Sequence, residues 1–192
     1  MGRHNVYAAL YAFAVGVLMH LELPLILRGL GTFKPVGMRQ NIYNIGELTV
    51  IEDCYNASPE SMRAALQVLR DLSAGKERGG RMAALLGDMY ELGDTADALH
   101  EGVGREFARV GGSLLFTFGA SADHIAQGAI LGGTAIESIY RNGDVRAPEL
   151  SGEMLLHALR AGDTLLVKAS RGARAERVLE YLKANADRLC RV

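Results

Sequence analysis

From residue 38 onward the chain alternates short apolar extended runs with longer stretches whose apolar residues recur every three or four positions. That alternation restricts the fold more than anything else in the sequence. Extended runs fall at 40–45, 48–53, 82–86, 113–118 and 164–167, with a weaker one at 134–140. Helical patterns lie at 59–73, 95–109, 120–129, 148–160 and 173–189. In the first of these Met62, Ala65, Leu66 and Leu69 share one stripe; in the last Val178, Leu179 and Leu182 do so. Strands separated by helices of this length need crossover connections, which predicts an α/β fold with a mostly parallel sheet of about six strands. Asn44-Ile45-Gly46-Glu47 between the first two runs reads as a hairpin turn, so one antiparallel pair is expected at the start.

The front of the chain differs. Residues 5–19 are apolar on nearly every side, the pattern of a helix buried in a larger body. A second short helix is predicted from Leu23 to Leu30, and Thr32–Gly37 reads as a linker. The chain therefore divides into residues 1–37, two helices and a linker belonging to another domain, and residues 38–192, a complete α/β domain. The expectation is that it forms the C-terminal part of a longer protein. Met1–His4 and the run Val6–Met19 resemble the basic and apolar regions of a signal peptide. No small-residue cleavage site follows at His20-Leu21-Glu22-Leu23-Pro24, and the run is shorter than the roughly 20 residues of a bilayer span.

Composition narrows the function classes. A net charge of −1 argues against a general nucleic-acid or anionic-membrane binder. The two cysteines, Cys54 and Cys190, have no metal-ligand spacing and fit a reducing cytoplasm. With 192 residues, 49% of them hydrophobic, the chain can bury a core without covalent staples.

Three loops that follow extended runs hold the candidate chemistry. After 48–51 come Glu52-Asp53-Cys54-Tyr55-Asn56-Ala57-Ser58-Pro59, an acid, a phenol, an amide and a hydroxyl within one short loop. Pro59 opens the next helix, with Ser58 as its expected N-cap. In open α/β sheets ligands bind outside the carboxyl ends of strands, where this loop lies. After 82–86 comes Gly87-Asp88-Met89-Tyr90-Glu91-Leu92-Gly93, with His100 further on. Its bland reading is a strand-to-helix loop with solvated acids and a surface histidine. After 164–167 come Lys168-Ala169-Ser170-Arg171-Gly172-Ala173-Arg174. Cations beside a helix start suit a carboxylate or phosphate, although a solvated basic turn explains the pattern equally well. No phosphate-loop pattern and no dinucleotide fingerprint after a strand occur.

Taken together, Glu52–Met62, Leu86–Gly93 with His100, and Val167–Glu176 resemble the ordered motifs of the Mur ligase family. They are most similar to those of its D-alanyl-D-alanine-adding member. Gly2-Arg3-His4-Asn5-Val6 also resembles the motif that ends the family's central ATPase domain. The resemblance implies a Rossmann-like three-layer C-terminal domain preceded by the last helices of a truncated central domain. It implies that the full enzyme uses ATP and Mg2+ to phosphorylate the terminal carboxylate of UDP-N-acetylmuramoyl-tripeptide. The amine of D-Ala-D-Ala then attacks that acyl phosphate in cytoplasmic peptidoglycan-precursor synthesis. The phosphate loop and metal ligands are expected outside this chain, which alone is expected to be inactive.

By the same resemblance, Arg39, Asp53 and Asn5 are expected at the nucleotide. Tyr55, Asn56, Ser58, Lys168, Ser170 and Arg171 are expected at the dipeptide, and Asp88, Glu91 and His100 are possible loop contributors. Three positions depart from the family pattern: Ala8, Ser58 and Ala169. The alternatives are another amide ligase of the superfamily, of folylpolyglutamate or cyanophycin type, or a non-catalytic binding module with the same fold.

Overall fold

The computed structural model describes residues 5–33, 37–75 and 80–189, with the Asn5 side chain, Met1–His4, residues 34–36 of the linker and Cys190 outside the described residues. Two helices come first, α1 (Asn5–Leu18) and α2 (Leu23–Gly31). The α/β part follows as β1 (Asn41–Ile45), β2 (Leu48–Asp53), α3 (Pro59–Ala74), β3 (Met82–Gly87), α4 (Ala96–Arg109), β4 (Leu114–Phe118) and α5 (Asp123–Leu131). It closes with β5 (Ile139–Asn142), α6 (Pro148–Ala158), β6 (Thr164–Lys168) and α7 (Glu176–Ala184).

The strands form one six-stranded sheet in the order β1-β2-β6-β3-β4-β5. β1 and β2 are antiparallel, and every other neighbouring pair is parallel. Successive side chains of a strand point to opposite faces. Val50, Leu85, Phe116, Leu165 and Val167 thus pack with Leu155 of α6 and Val178, Leu179 and Leu182 of α7. Ile51, Ala84, Leu86, Leu115 and Leu166 pack on the other face with α3, α4 and α5, through Met62, Leu66, Phe107 and Ile125. The central strands are covered on both sides, which is why they read as unbroken apolar runs rather than alternating ones.

Two glycines set the distance between α4 and α5. A Cβ at Gly104 would lie 1.9 Å from the Ile125 carbonyl oxygen, and one at Gly128 would lie 1.9 Å from that of Glu101. Gly104 is therefore a helix-crossing residue.

Several boundaries differ from expectation, among them the end of α7, at Ala184 rather than 189. The weak strand predicted at 134–140 lies at Ile139–Asn142, because Ile136–Ser138 winds into a 3-10 turn. The helix predicted from Ala120 begins at Asp123. The helix predicted from Ala173 begins at Glu176, since Arg174 adopts a left-handed conformation (φ 55°) after the 3-10 turn Arg171–Ala173.

The N-terminal pair is built differently. Among its described residues only Gly16 and Ile26 are buried, and they meet each other where the helices touch. Val6, Tyr7, Leu10, Tyr11, Val15 and Leu18 stay exposed, Leu18 at 77%. Between the helices lies an apolar groove of about 520 Å³ lined by Ala12, Gly16, Leu25, Ile26, Leu30 and Phe33. The helix expected to be buried thus has α2 as its packing partner among the described elements, and one short helix covers little of it.

Candidate functional site at the carboxyl rim

All parallel strands end on one rim. The register sets Asp53 beside Lys168, Leu86 beside Lys168, and Gly87 beside Phe118. The three polar loops singled out in the sequence therefore stand side by side. β1 runs the other way, so its first residue, Asn41, lies opposite Glu52 and the linker joins the sheet at this same rim. That brings Arg39 to the site. The helices that follow β2 and β3 cover one face, and α7, which follows β6, covers the other. Loops consequently diverge on both sides of β6, the arrangement that opens ligand crevices in α/β sheets.

On the β2 side the crevice floor is an ion pair. Lys168 is only 2% exposed, and its Nζ donates to Asp53 Oδ2 (2.7 Å) and to the Asn56 carbonyl (2.8 Å). A lysine on a buried strand must be paired, and here it ties the ends of β6 and β2 to the loop beyond. Ser58 caps α3 as expected: its Oγ accepts from Ser61 N–H, and Ser61 Oγ accepts from Ser58 N–H. Asn56 Oδ1 accepts from Ala57 N–H. Tyr55 is 45% exposed, and the Arg39 guanidinium lies 4.2 Å from its ring centroid. Behind the loop Cys54 is fully buried, its thiol donating to the Val167 carbonyl, and burial raises its pKa.

On the β3 side Ser170 N–H donates to the Asp88 carbonyl, and Ser170 Oγ accepts from Tyr90 N–H at 3.0 Å. The Tyr90 ring lies on Gly172, where a Cβ would sit 2.7 Å from Tyr90 Cε2. The Asp88 carboxylate turns inward: Oδ1 accepts from Ala122 N–H at 2.7 Å, capping the start of α5. Gly119 (φ 117°) makes room for it, since a Cβ there would lie 2.4 Å from that carboxylate. Burial lifts the Asp88 carboxyl above the usual carboxylate range, against the lowering effect of the backbone donors around it.

His100 is fully buried; Nε2 accepts from Met89 N–H (2.9 Å), which places the proton on Nδ1, donating to the Ala96 carbonyl (2.7 Å). The reading of solvated acids and a surface histidine is thus corrected for Asp88 and His100. His100 holds a backbone N–H of the turn after Gly87, and Asp88 holds one at the start of α5; both would otherwise be left unpaired. Glu91 stays exposed at φ 63°.

Arg171 is exposed, with Nη1 3.0 Å from Glu176 Oε1 and 3.4 Å from Met38 Sδ. Lys168, Ser170, Asp88 and His100 are thus engaged within the protein. Arg39, Tyr55, Asn56, Tyr90, Glu91 and Arg171 face solvent. Tyr90 and the stacking of Arg39 on Tyr55 went unread in the sequence; a large aromatic between Met89 and Glu91 was the available signal. Backbone strain also gathers here. Among the described residues, Gln40 (φ 49°), Glu91 and Arg174 are left-handed without being glycine, and only His20 is so elsewhere. Such outliers persist where surrounding structure over-determines them, often at ligand sites.

The family model for "Mur ligase, glutamate ligase domain" matches residues 38–171. The UDP-N-acetylmuramoyl-tripeptide–D-alanyl-D-alanine ligase of Bacillus subtilis is 33% identical over 187 residues, 95% of this chain and 38% of the relative. The chain thus spans well under half the length of that relative. Among solved structures, MurF from Acinetobacter baumannii superposes with a TM-score of 0.81 at 27% identity, covering 96% of this chain and 39% of that one. MurF ligase from Thermotoga maritima in complex with ADP superposes with a TM-score of 0.73 at 25% identity, covering 91% and 36%. The rim loops, the sheet order that joins them and these likenesses together establish that this chain belongs to the Mur ligase family.

Proposed function

We propose that this chain is the C-terminal part of an ATP-dependent ligase that joins D-Ala-D-Ala to UDP-N-acetylmuramoyl-tripeptide in the cytoplasm, and that it supplies one wall of the active site. The observation that carries the reading is the meeting of the three motif loops and the linker on a single rim. The likeness over 95% of the chain to the UDP-N-acetylmuramoyl-tripeptide–D-alanyl-D-alanine ligase of Bacillus subtilis supports the same substrates.

The rim residues fit a nucleotide. Arg39 presents an exposed guanidinium suited to a phosphate, and Asp53 has one carboxylate oxygen taken by Lys168 and a second that can accept from a ribose hydroxyl. ATP, when bound, supplies the phosphoryl group that turns a carboxylate into an acyl donor. The metal ligands and phosphate loop would lie in the rest of the enzyme, and Asn5 keeps its proposed place near adenine. Residues 1–37 would belong to the preceding domain, which would cover the apolar groove of α1 and α2; their exposed apolar residues support this.

Ser58, with its Oγ and N–H spent on the cap of α3, would act by shaping the loop that presents Tyr55 and Asn56 to the dipeptide. Lys168 and Ser170 hold the loops in place from within. Of the two cations proposed for the dipeptide, Lys168 is buried and Arg171 is exposed to receive its carboxylate, using guanidinium donors beyond the Nη1 shared with Glu176. The test is ADP release by the full-length ligase. It should require both UDP-N-acetylmuramoyl-tripeptide and D-Ala-D-Ala, and Arg171→Ala should raise the dipeptide KM. ADP release that ignores the dipeptide, or that glutamate supports equally, would sink the reading.

A further inference from the structure

We propose that Glu176 is a positioning residue of this same site: it fixes the Arg171 guanidinium so that one edge of the fork is presented to the dipeptide carboxylate. This rests on the ligase reading and goes further by naming the residue that sets where the carboxylate lies.

The two side chains lie five residues apart, and the chain between them is bent so that they meet. Arg171 opens a 3-10 turn that ends at Ala173, Arg174 is left-handed (φ 55°), and Glu176 opens α7. A left-handed residue that is not glycine persists where the surrounding structure holds it. Glu176 Oε1 then accepts from Arg171 Nη1 at 3.0 Å. The glutamate is poorly placed to lose this partner. Its side chain is only 16% exposed, and its second oxygen, Oε2, is buried with no hydrogen-bond partner among the described residues. Withdrawing Arg171 would strand a largely buried carboxylate, which is costly.

Arg171 is the opposite case, a side chain 56% exposed with much rotamer freedom to lose. The contact with Glu176 removes part of that freedom before any ligand arrives. It does so at one nitrogen, and the neighbouring contact, Met38 Sδ at 3.4 Å, falls on the same Nη1. Nε and Nη2 lie outside both contacts. Together they form an edge that can grip a carboxylate with two parallel hydrogen bonds. Another arginine of this chain uses the same edge: Arg81 Nε donates to Asp163 Oδ1 (3.2 Å) and Nη2 to Oδ2 (2.7 Å). A dipeptide carboxylate therefore fits the Nε–Nη2 edge of Arg171 without displacing Glu176. Its seat, and with it the approach of the dipeptide amine to the acyl phosphate, is set by how Glu176 turns the guanidinium.

The experiment is steady-state kinetics of the full-length ligase as a double-mutant cycle of Arg171→Ala and Glu176→Ala. Glu176→Ala alone should lower kcat/KM for D-Ala-D-Ala about fivefold, the size expected for freeing one long side chain, with the ATP and UDP-tripeptide KM values unchanged. In the Arg171→Ala background the same change should have no further effect, because no guanidinium remains to be positioned. Glu176→Gln keeps an acceptor for Nη1 and should recover part of the loss; it carries the same cycle if the alanine variant does not fold. An unchanged or increased kcat/KM in Glu176→Ala overturns the inference. So does an equal loss in both backgrounds, which a merely structural glutamate would give. If Arg171→Ala itself leaves the dipeptide constants intact, the reading of Arg171 falls and takes this with it. If Arg171→Ala responds and neither Glu176 variant does, this inference alone is lost.

Discussion

The carboxyl rim and the N-terminal helical pair have opposite deficits. At the rim, the inward polar groups have partners within the chain: Lys168 holds Asp53, Asp88 holds the start of α5, and His100 holds Met89. In the pair, apolar side chains lack a cover, and among the described residues Ile26 is the single buried large one. The α/β part has a covered core and a polar edge, and the pair has apolar faces left exposed. A covered core loses stability when its interior is altered; an exposed apolar face does not.

The largest expected effect separates the two directly. Phe116→Ala removes a ring that packs in the core and stacks on Tyr140 at 4.8 Å, and should cost about 4 kcal/mol in urea unfolding. Leu18→Ala on the exposed face of α1 should stay within about 0.5 kcal/mol in this chain. Equal costs would mean that the pair is already part of the cooperative unit.

Next comes the rim itself. Lys168→Met leaves the Asp53 carboxylate and the Asn56 carbonyl without their donor, and should destabilise the chain by about 3 kcal/mol. Adding Asp53→Leu should recover part of that loss. If Lys168→Met alone is neutral, the strut carries no weight.

A subtler effect concerns Asp88. Its carboxyl is raised in the folded state by burial, so the fold holds that proton more tightly than the unfolded chain does. Stability contributed by the group is therefore greatest in acid. It declines as pH climbs from the ordinary aspartate value of about 3.9 through the higher folded value, and is level beyond. The difference in unfolding free energy between wild type and Asp88→Asn should shrink with rising pH across that interval. A difference that grows instead would reverse the assignment.

The smallest effect is expected from removing residues 1–34. The remainder should keep its cooperative thermal transition with nearly the same midpoint and gain solubility, because the exposed apolar faces go with the deleted part. Loss of the cooperative transition would erase the contrast between the two regions.

These regions were also unequally legible in sequence. Met62, Leu66 and Leu69 announced α3, and Ser58 with Pro59 announced its start, because helical period and capping are local properties. The strand boundaries 48–53 were readable for the same reason. The role of Asp88 was not, since its partner Ala122 lies 34 residues away and is reached only after β4 has paired with β3. Lys168 misled in a similar way. A lysine after an apolar run looks available, and only the register that sets it beside Asp53, 115 residues distant, shows where its charge is spent. The late start of α7 hinges on the left-handed Arg174, which no apolar stripe encodes.

The antiparallel direction of β1 has a mechanical consequence. Had the first strand run with the others, the tether to whatever precedes residue 37 would attach at the far end of the sheet. Any swing of the domain would then sweep the loop-bearing rim through a wide arc. Instead the chain enters the sheet at Asn41, opposite Glu52, on the rim that carries the three loops. In the proposed ligase, a tilt of this part about that point would leave its nearest contacts almost in place, with the far margin at β5 travelling most.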